Sequence, residues 1–118
     1  MVNIFKLNTA ELEALVIYKD VIESGKSFPK DFWTEEKDQK KGIKIKCRIL
    51  TRYCFENLAD IDIDDLSKYN LKQLKSILIK YYLFGMVQIV FNHDILSILK
   101  NAYPEEFRTR KLKEWMWS

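Results

Sequence analysis

The chain has 118 residues, a formal net charge of +3 and 47% hydrophobic residues. This length suits a single domain, and the composition is that of a folded protein rather than a disordered chain. Only 3 glycines and 2 prolines are present, too few for a fold rich in loops and tight turns. The longest apolar run is 81–87, or 81–91 if Gln88 is allowed. Either is shorter than the roughly 20 residues of a membrane helix, so we expect no membrane association.

The sequence lacks the residue patterns that zinc, phosphate and calcium sites require. There is one histidine, His93, and no cluster with zinc-ligand spacing. No glycine-rich phosphate loop is present, and the acidic stretch 60–65 does not fit a calcium loop. We therefore expect no metal, no cofactor and no enzymatic activity. A nucleophilic pair of His93 with Cys47 or Cys54 stays open, although the spacing of the two cysteines favours buried thiols on one helix.

The first helix is predicted over 9–24. Asn8 and Glu11 form a capping-box pattern at its start, and Gly25 supplies the stop. The following side chains share one side of this helix: Leu12, Leu15, Val16, Lys19 and Ile22. The connector 26–33 is broken by Pro29 and is too apolar for a free linker, so we expect it to lie against the protein body.

The second helix is predicted to begin at Thr34 as N-cap, with Glu35 and Glu36 in its first turn. A buried stripe then follows at helical spacing: Ile43, Cys47, Leu50, Cys54 and Leu58. Residues 59–66 are predicted to form a turn into a short helix capped by Asp62, because dense aspartate disfavours a strand.

A further capping box at Asn70 and Gln73 predicts the start of another helix. Its inward side chains are predicted to be Leu71, Leu74, Ile77, Leu78 and Tyr81. We expect Gly85 to interrupt this helix and residues 86–91 to continue as a buried helix. Asn92 is expected to cap the last helix. That helix places these side chains inside: Ile95, Leu96, Ile98, Leu99 and Ala102. The sequence thus predicts an all-α fold over 1–118, a small bundle of five to six helices with helix-turn-helix-like pairs.

Charge is distributed unevenly along the chain. Residues 26–52 carry 9 basic and 4 acidic side chains, whereas 53–66 carry 5 acidic and no basic ones. A basic stripe recurs on one side of the second helix: Lys41, Lys44, Arg48 and Arg52. Such a stripe could follow a phosphate backbone. The alternative is a solvated helix side paired with the aspartates of 60–65.

Polar side chains around the start of the last helix could reach base edges in a major groove. They are Asn92, His93, Ser97, Lys100 and Asn101. The simpler alternative is that Asn92 only caps the helix and His93 is an exposed first-turn residue. Together with the basic stripe, this set predicts a DNA-binding or regulatory protein.

Aromatic side chains suggest a second function, a protein–protein adaptor or inhibitor, because aromatic residues dominate binding interfaces. The set comprises Phe28, Phe32, Trp33, Trp115 and Trp117. This hypothesis loses its anchor if these side chains are buried, and the two C-terminal tryptophans could fold back onto the core. A monomer and a homodimer formed through 86–102 both stay open.

Three motifs carry a resemblance: Phe28-Pro29-Lys30-Asp31-Phe32-Trp33, the Gly85-Met86 segment ending at Phe91, and Ala102-Tyr103-Pro104. Over 26–107 the chain resembles a family of uncharacterised helical-module proteins from Bacillus-type Firmicutes and their phages. The family pattern is lost over 108–118, where only Trp115 and Trp117 hint at a next module. The resemblance implies one cytoplasmic, non-enzymatic module preceded by a helix. It also implies a similarity to helical repeats beside nuclease domains, which favours nucleic acid by analogy.

Overall fold

The computed structural model describes residues 6–29, 31–34 and 40–105. Within these residues the chain forms helices and no strand, so the all-α prediction is confirmed. Four are α-helices: α1 (Thr9–Ser24), α2 (Lys40–Arg52), α3 (Leu71–Lys80) and α4 (Ile95–Ala102). Two π-helical segments, Tyr53–Leu58 and Met86–Val90, and a 3-10 helix, Ile63–Lys68, lie between them. No helix of this described part is long and apolar enough to cross a membrane.

Both capping boxes are confirmed. The Asn8 side chain accepts from the Glu11 backbone N–H at 2.8 Å, and the Glu11 carboxylate accepts from the Asn8 N–H at 3.2 Å. Asn70 and Gln73 repeat this exchange at the start of α3. Gly25 ends α1 with a φ of 71°, a left-handed conformation that suits glycine.

The side of α1 that faces the core shares only Leu15 and the half-buried Ile22 with the set that the sequence places on one side. Leu12 and Val16 are exposed, and Val16 retains 60% of its accessible surface. The buried residues are Ala14, Leu15, Tyr18 and Val21. Tyr18 fixes this rotation, because its hydroxyl donates to the Tyr81 carbonyl at 2.7 Å while its ring packs on Phe28.

The buried stripe of α2 is confirmed. Ile43, Cys47 and Leu50 are buried, and α2 packs against both α1 and α4. The helix continues into the first π-helical segment, where the Ala59 N–H donates to the Cys54 carbonyl, five residues back. Asp62 occupies the N-cap position of the short 3-10 helix as predicted, although its side chain makes no capping hydrogen bond. Thr34, the predicted N-cap of α2, is exposed and non-helical, and its hydroxyl donates to the Asp31 carbonyl at 3.2 Å. The other two residues of the predicted start, Glu35 and Glu36, lie outside the described residues.

The break after α3 does not lie at Gly85, so that prediction was wrong. The helix stops at Tyr81, and Tyr82 turns the chain with a φ of 69°. Gly85 instead has helical angles. A Cβ atom there would lie 2.5 Å from the Trp33 Nε1 atom, so the absence of a side chain lets the indole pack on the backbone.

The start of α4 also differs from the prediction, because Asp94 caps it in place of Asn92. Asn92 and His93 both have positive φ angles and form the preceding turn. The Asp94 carboxylate accepts from the Ser97 hydroxyl at 2.7 Å and from the Ser97 backbone N–H at 3.1 Å. These two hydrogen bonds lower the pKa of Asp94.

Candidate functional site

The two arginines of the basic stripe are hydrogen-bonded within the protein. The Arg48 Nε donates to the Asn101 carbonyl at 2.9 Å, and the Arg52 Nε donates to the Ala102 carbonyl at 2.7 Å. These carbonyls belong to the last turn of α4, where helical partners are missing and a positive charge is favourable. Both arginines are half-buried, and they join α2 to the end of α4.

Asn101 and Tyr103 complete this junction. The Asn101 amide donates back to the Lys44 carbonyl of α2 at 2.8 Å. The Tyr103 hydroxyl donates to the Glu56 carboxylate at 3.0 Å, while the Arg52 guanidinium lies 5.1 Å from the Tyr103 ring centre. Burial, and then the Glu56 charge, raise the pKa of Tyr103. We call this set of contacts the α2–α4 junction.

The Nε atoms of both arginines are engaged by α4. In the acidic stretch, Asp65 forms an ion pair with Lys68 at 2.8 Å, within the 3-10 helix. The alternative interpretation, a solvated stripe paired with the aspartates of 60–65, stays a prediction.

The predicted nucleic-acid residues are only partly brought together. Lys44, Ser97 and Asn101 line one shallow polar depression of about 390 Å³, together with Val90 and Phe91. Three others are exposed at or near α4: Asn92, His93 and Lys100. The His93 ring lies near Phe84, with ring centres 6.1 Å apart. The side chain of Lys41 lies outside the described residues.

A larger, open groove lies between the connector after α1 and the segment that follows α3, and its cavity volume is about 470 Å³. We call it the apolar groove. Its large apolar side chains are Phe28, Phe32, Trp33, Ile79, Tyr82, Phe84 and Ile89. Lys26 and Asp31 are the charged side chains among its described lining residues.

Three of the predicted partner-binding aromatics form the floor of the groove. The rings of Phe28, Phe32 and Trp33 pack on one another with centres 4.7 to 4.8 Å apart. Trp33 is 8% exposed, whereas Phe28 and Phe32 are half-buried. The prediction of an exposed anchor therefore does not fit Trp33, because its indole packs on Gly85. Trp115 and Trp117 lie outside the described residues.

The rim of the groove consists of side chains that the sequence reasoning did not single out as a site. Ile79, Tyr82, Phe84 and Ile89 are all more than two-fifths exposed, and Ile89 reaches 53%. The signal that could have found them is their spacing, since Ile79 falls off the inward period of α3. Ile89 belongs to the segment 86–91, which is predicted to be a buried helix, and Phe84 belongs to the apolar run that precedes it.

Most apolar side chains of 86–102 are core residues, which weakens their use as a dimer surface. Met86, Val87, Ile98 and Leu99 are fully buried. The exposed exception, Ile89, belongs to the rim of the apolar groove. Whether the chain is a monomer or a homodimer stays a prediction.

Unusual backbone conformations border the apolar groove. Asp31 and Tyr82, which both line it, have φ angles of 64° and 69°. Ile89 projects from the π-helical segment Met86–Val90. Left-handed non-glycine residues and π-helical turns are both found disproportionately at functional sites.

The predicted buried thiols are confirmed, since Cys47 and Cys54 are both fully buried. Burial raises the pKa of the Cys54 thiol to about 12, and a hydrogen bond with Tyr18 offsets only part of that shift. A thiol that stays protonated near neutral pH is a weak nucleophile. Within the described residues, no group of three or more His, Cys, Asp or Glu side chains could hold a metal ion.

These features define a small all-α protein with an open apolar groove on one side and a hydrogen-bonded polar junction at α2 and α4. Residues 14–108 match the family described as "Protein of unknown function (DUF4046)", and the chain belongs to this family. The match begins inside α1, earlier than the expected start at 26. The expected resemblance to an uncharacterised family is thereby confirmed, while the Bacillus or phage origin stays a prediction. No curated protein and no solved structure matches the chain.

Proposed function

We propose that this chain is a non-catalytic protein-binding module, and that its apolar groove receives apolar side chains from a segment of another protein. The observation that carries the proposal is the exposed rim of Ile79, Tyr82, Phe84 and Ile89 above an aromatic floor. Apolar surface gathered in this way stabilises a complex when it is covered, and it adds nothing to the fold while it is open.

Two further features support the proposal. The cavity volume of about 470 Å³ is in the range of pockets that receive compact ligand groups. Asp31 and Tyr82, which both line the groove, have left-handed backbone conformations, and strain of this kind clusters at ligand-binding and switch regions. The proposal keeps the adaptor hypothesis but moves its exposed anchors from Trp33 to the rim.

The test is a selection of short random peptides displayed on phage against the full chain. We expect peptides with aromatic or aliphatic anchors, and we expect Ile89→Asp to weaken them about tenfold or more, or about 1.4 kcal/mol. Val16→Asp is the matched control, because Val16 is equally apolar and exposed but lies on α1 outside the groove lining. Equal loss in both variants, or no enriched peptide, would contradict the proposal.

A second candidate function is the predicted binding of nucleic acid. The observation that favours it is the shared depression of Lys44, Ser97 and Asn101, three residues singled out from sequence for this role. Arg48 and Arg52 would serve this surface indirectly, by fixing α4 against α2. Lys44 would then supply a phosphate contact, and Asn92, His93 and Lys100 would lie at its border.

This candidate predicts duplex DNA binding that weakens steeply between about 50 mM and 200 mM salt, because phosphate contacts release counterions. A fluorescence titration with random-sequence duplex measures this, and Lys44→Glu should reduce the affinity. Lys72→Glu is the control, since it makes the same charge reversal at an exposed position on α3. Binding that is absent at low salt, or equally reduced by both variants, would reject the Lys44 surface.

We also infer a cytoplasmic setting. The two buried thiols support it, because cysteines outside disulfides are typical of a reducing compartment. Fractionation of cells that express the tagged chain would test this, and recovery outside the cytoplasm would overturn it.

A further inference from the structure

We infer that the segment seated in the apolar groove is acidic, with Asp or Glu side chains beside its apolar anchors. This inference rests on the proposed function, since it names the class of protein segment that the groove takes. It is argued from the charges that border the groove on both sides.

One side of the groove continues into a basic helix face. Ile79 lies on the rim, and Lys75 and Lys72 precede it by one and two turns of α3, on the same face of that helix. Lys72 is exposed and Lys75 is half-buried. The sequence of α3 contains no acidic residue, so a segment leaving the groove along this helix meets positive charge.

The other side of the groove is also basic. Lys26 is exposed and lines the groove. The Lys46 Nζ atom lies 5.9 Å from the ring centre of Phe32, a floor residue. Lys26 and Lys46 therefore carry positive charge beside the groove, and Lys72 and Lys75 carry it along the helix face of Ile79. An acidic, apolar segment complements this arrangement.

Within the described part of the chain, few carboxylates border the groove. Among the described lining residues Asp31 is the acidic one, and its backbone carbonyl and carboxylate accept from the Thr34 hydroxyl. Asp20 and Glu23 are exposed on α1, but they lie about 100° and 200° around that helix from Val21, which faces the groove. Among the described residues around the groove, the balance of charge is thus positive.

The experiment uses the peptides selected on the full chain, and keeps those whose binding requires Ile89. Each is synthesised in three versions, with acidic, amide or lysine residues beside the same anchors, and its affinity is measured by fluorescence anisotropy. We expect the acidic version to bind about fivefold or more tighter than the amide version at about 50 mM salt, and most of this advantage to vanish near 1 M, where screening is strong. Lys72→Glu combined with Lys75→Glu should remove the advantage, and Lys100→Glu, on α4, should leave it.

The outcomes separate the two proposals. Peptides that need Ile89 but bind equally well in all three versions would overturn the acidic segment and leave the groove as a binding site. Tighter binding of the lysine version than of the acidic version would likewise overturn the acidic segment and leave the groove as a binding site. If no peptide depends on Ile89, both the inference and the proposed function fail.

Discussion

The α2–α4 junction and the apolar groove use their side chains in opposite ways. At the junction, two arginines and an asparagine that suit a ligand surface are hydrogen-bonded to backbone carbonyls of the protein. At the groove, isoleucine, tyrosine and phenylalanine side chains that suit a core remain exposed. From residue type alone, the junction would be taken for a ligand-binding surface and the groove for part of the core.

The comparison shows that the contacts available within the fold, and not the residue type, decide the role of a side chain. A cation near a helix C-terminus has intramolecular acceptors within reach, because the last carbonyls of the helix lack helical donors. At the groove, Tyr82 is itself left-handed and Ile89 belongs to a π-helical segment, and both side chains are exposed. The junction therefore holds the fold together, and the groove presents surface. Each prediction below tests one side of this contrast.

The largest expected effect is at the groove floor. Trp33→Ala removes a buried indole that packs on Phe28, Phe32 and Gly85. We expect the free energy of unfolding to fall by about 3 to 5 kcal/mol, measured by urea denaturation. Val16→Ala is a control for apolar truncation at an exposed position. If Trp33→Ala changes stability as little as the control, the floor is not part of the core and the contrast between floor and rim is wrong.

The next effect is at the junction. Arg52→Lys keeps the positive charge but removes the Nε donor to the Ala102 carbonyl, so we expect a loss of about 1.5 to 3 kcal/mol, typical of a hydrogen bond to a charged group. Lys44→Gln, on the same helix but exposed, should stay within about 0.5 kcal/mol. Both values come from urea denaturation. A fully stable Arg52→Lys protein would show that only charge matters here, and would return Arg52 to the candidate phosphate surface.

A smaller effect is expected where the two sides of the groove meet. Gly85→Ala places a Cβ atom 2.5 Å from the Trp33 Nε1, which we expect to destabilise the protein by about 1 to 3 kcal/mol through overpacking. In a Trp33→Ala background the same substitution should lose this penalty. The double-mutant cycle measures the coupling directly. Equal penalties in both backgrounds would mean that the cause lies elsewhere than in the indole.

Local signals in the sequence predicted much of the fold. Asn8, Gly25 and Asn70 carry their information in a few neighbouring residues, and the structure places all three as caps. The buried stripe of α2 was likewise predicted, because helical spacing is a property of the segment alone. These predictions require nothing from distant parts of the chain.

Predictions that depended on distant contacts fared worse. The sequence predicts a break at Gly85, but its lack of a side chain makes room for Trp33, more than fifty residues away in sequence. The buried side of α1 follows the contact of Tyr18 with Tyr81, which no local pattern encodes. For the same reason the groove could be predicted only in part. Its floor residues were identified from composition, whereas its rim depends on how 79–89 turns after α3.

The smallest effect is expected at the start of α4, the other end of the helix that the arginines hold. Asp94→Ala removes the cap of this helix and should lower stability by about 1 kcal/mol, while Asp94→Asn, which keeps an acceptor oxygen, should lose less.

Because the Ser97 hydroxyl lowers the pKa of Asp94 in the folded state, the stability due to the charge is present above the ordinary carboxyl pKa of about 3.9. It is lost as the pH falls through the lowered folded value. The difference between the wild type and Asp94→Asn, measured by urea denaturation, should therefore be full near neutral pH and shrink in strong acid. A difference that does not depend on pH would show that the Asp94 cap stabilises α4 through its hydrogen bonds alone, without a contribution from its charge.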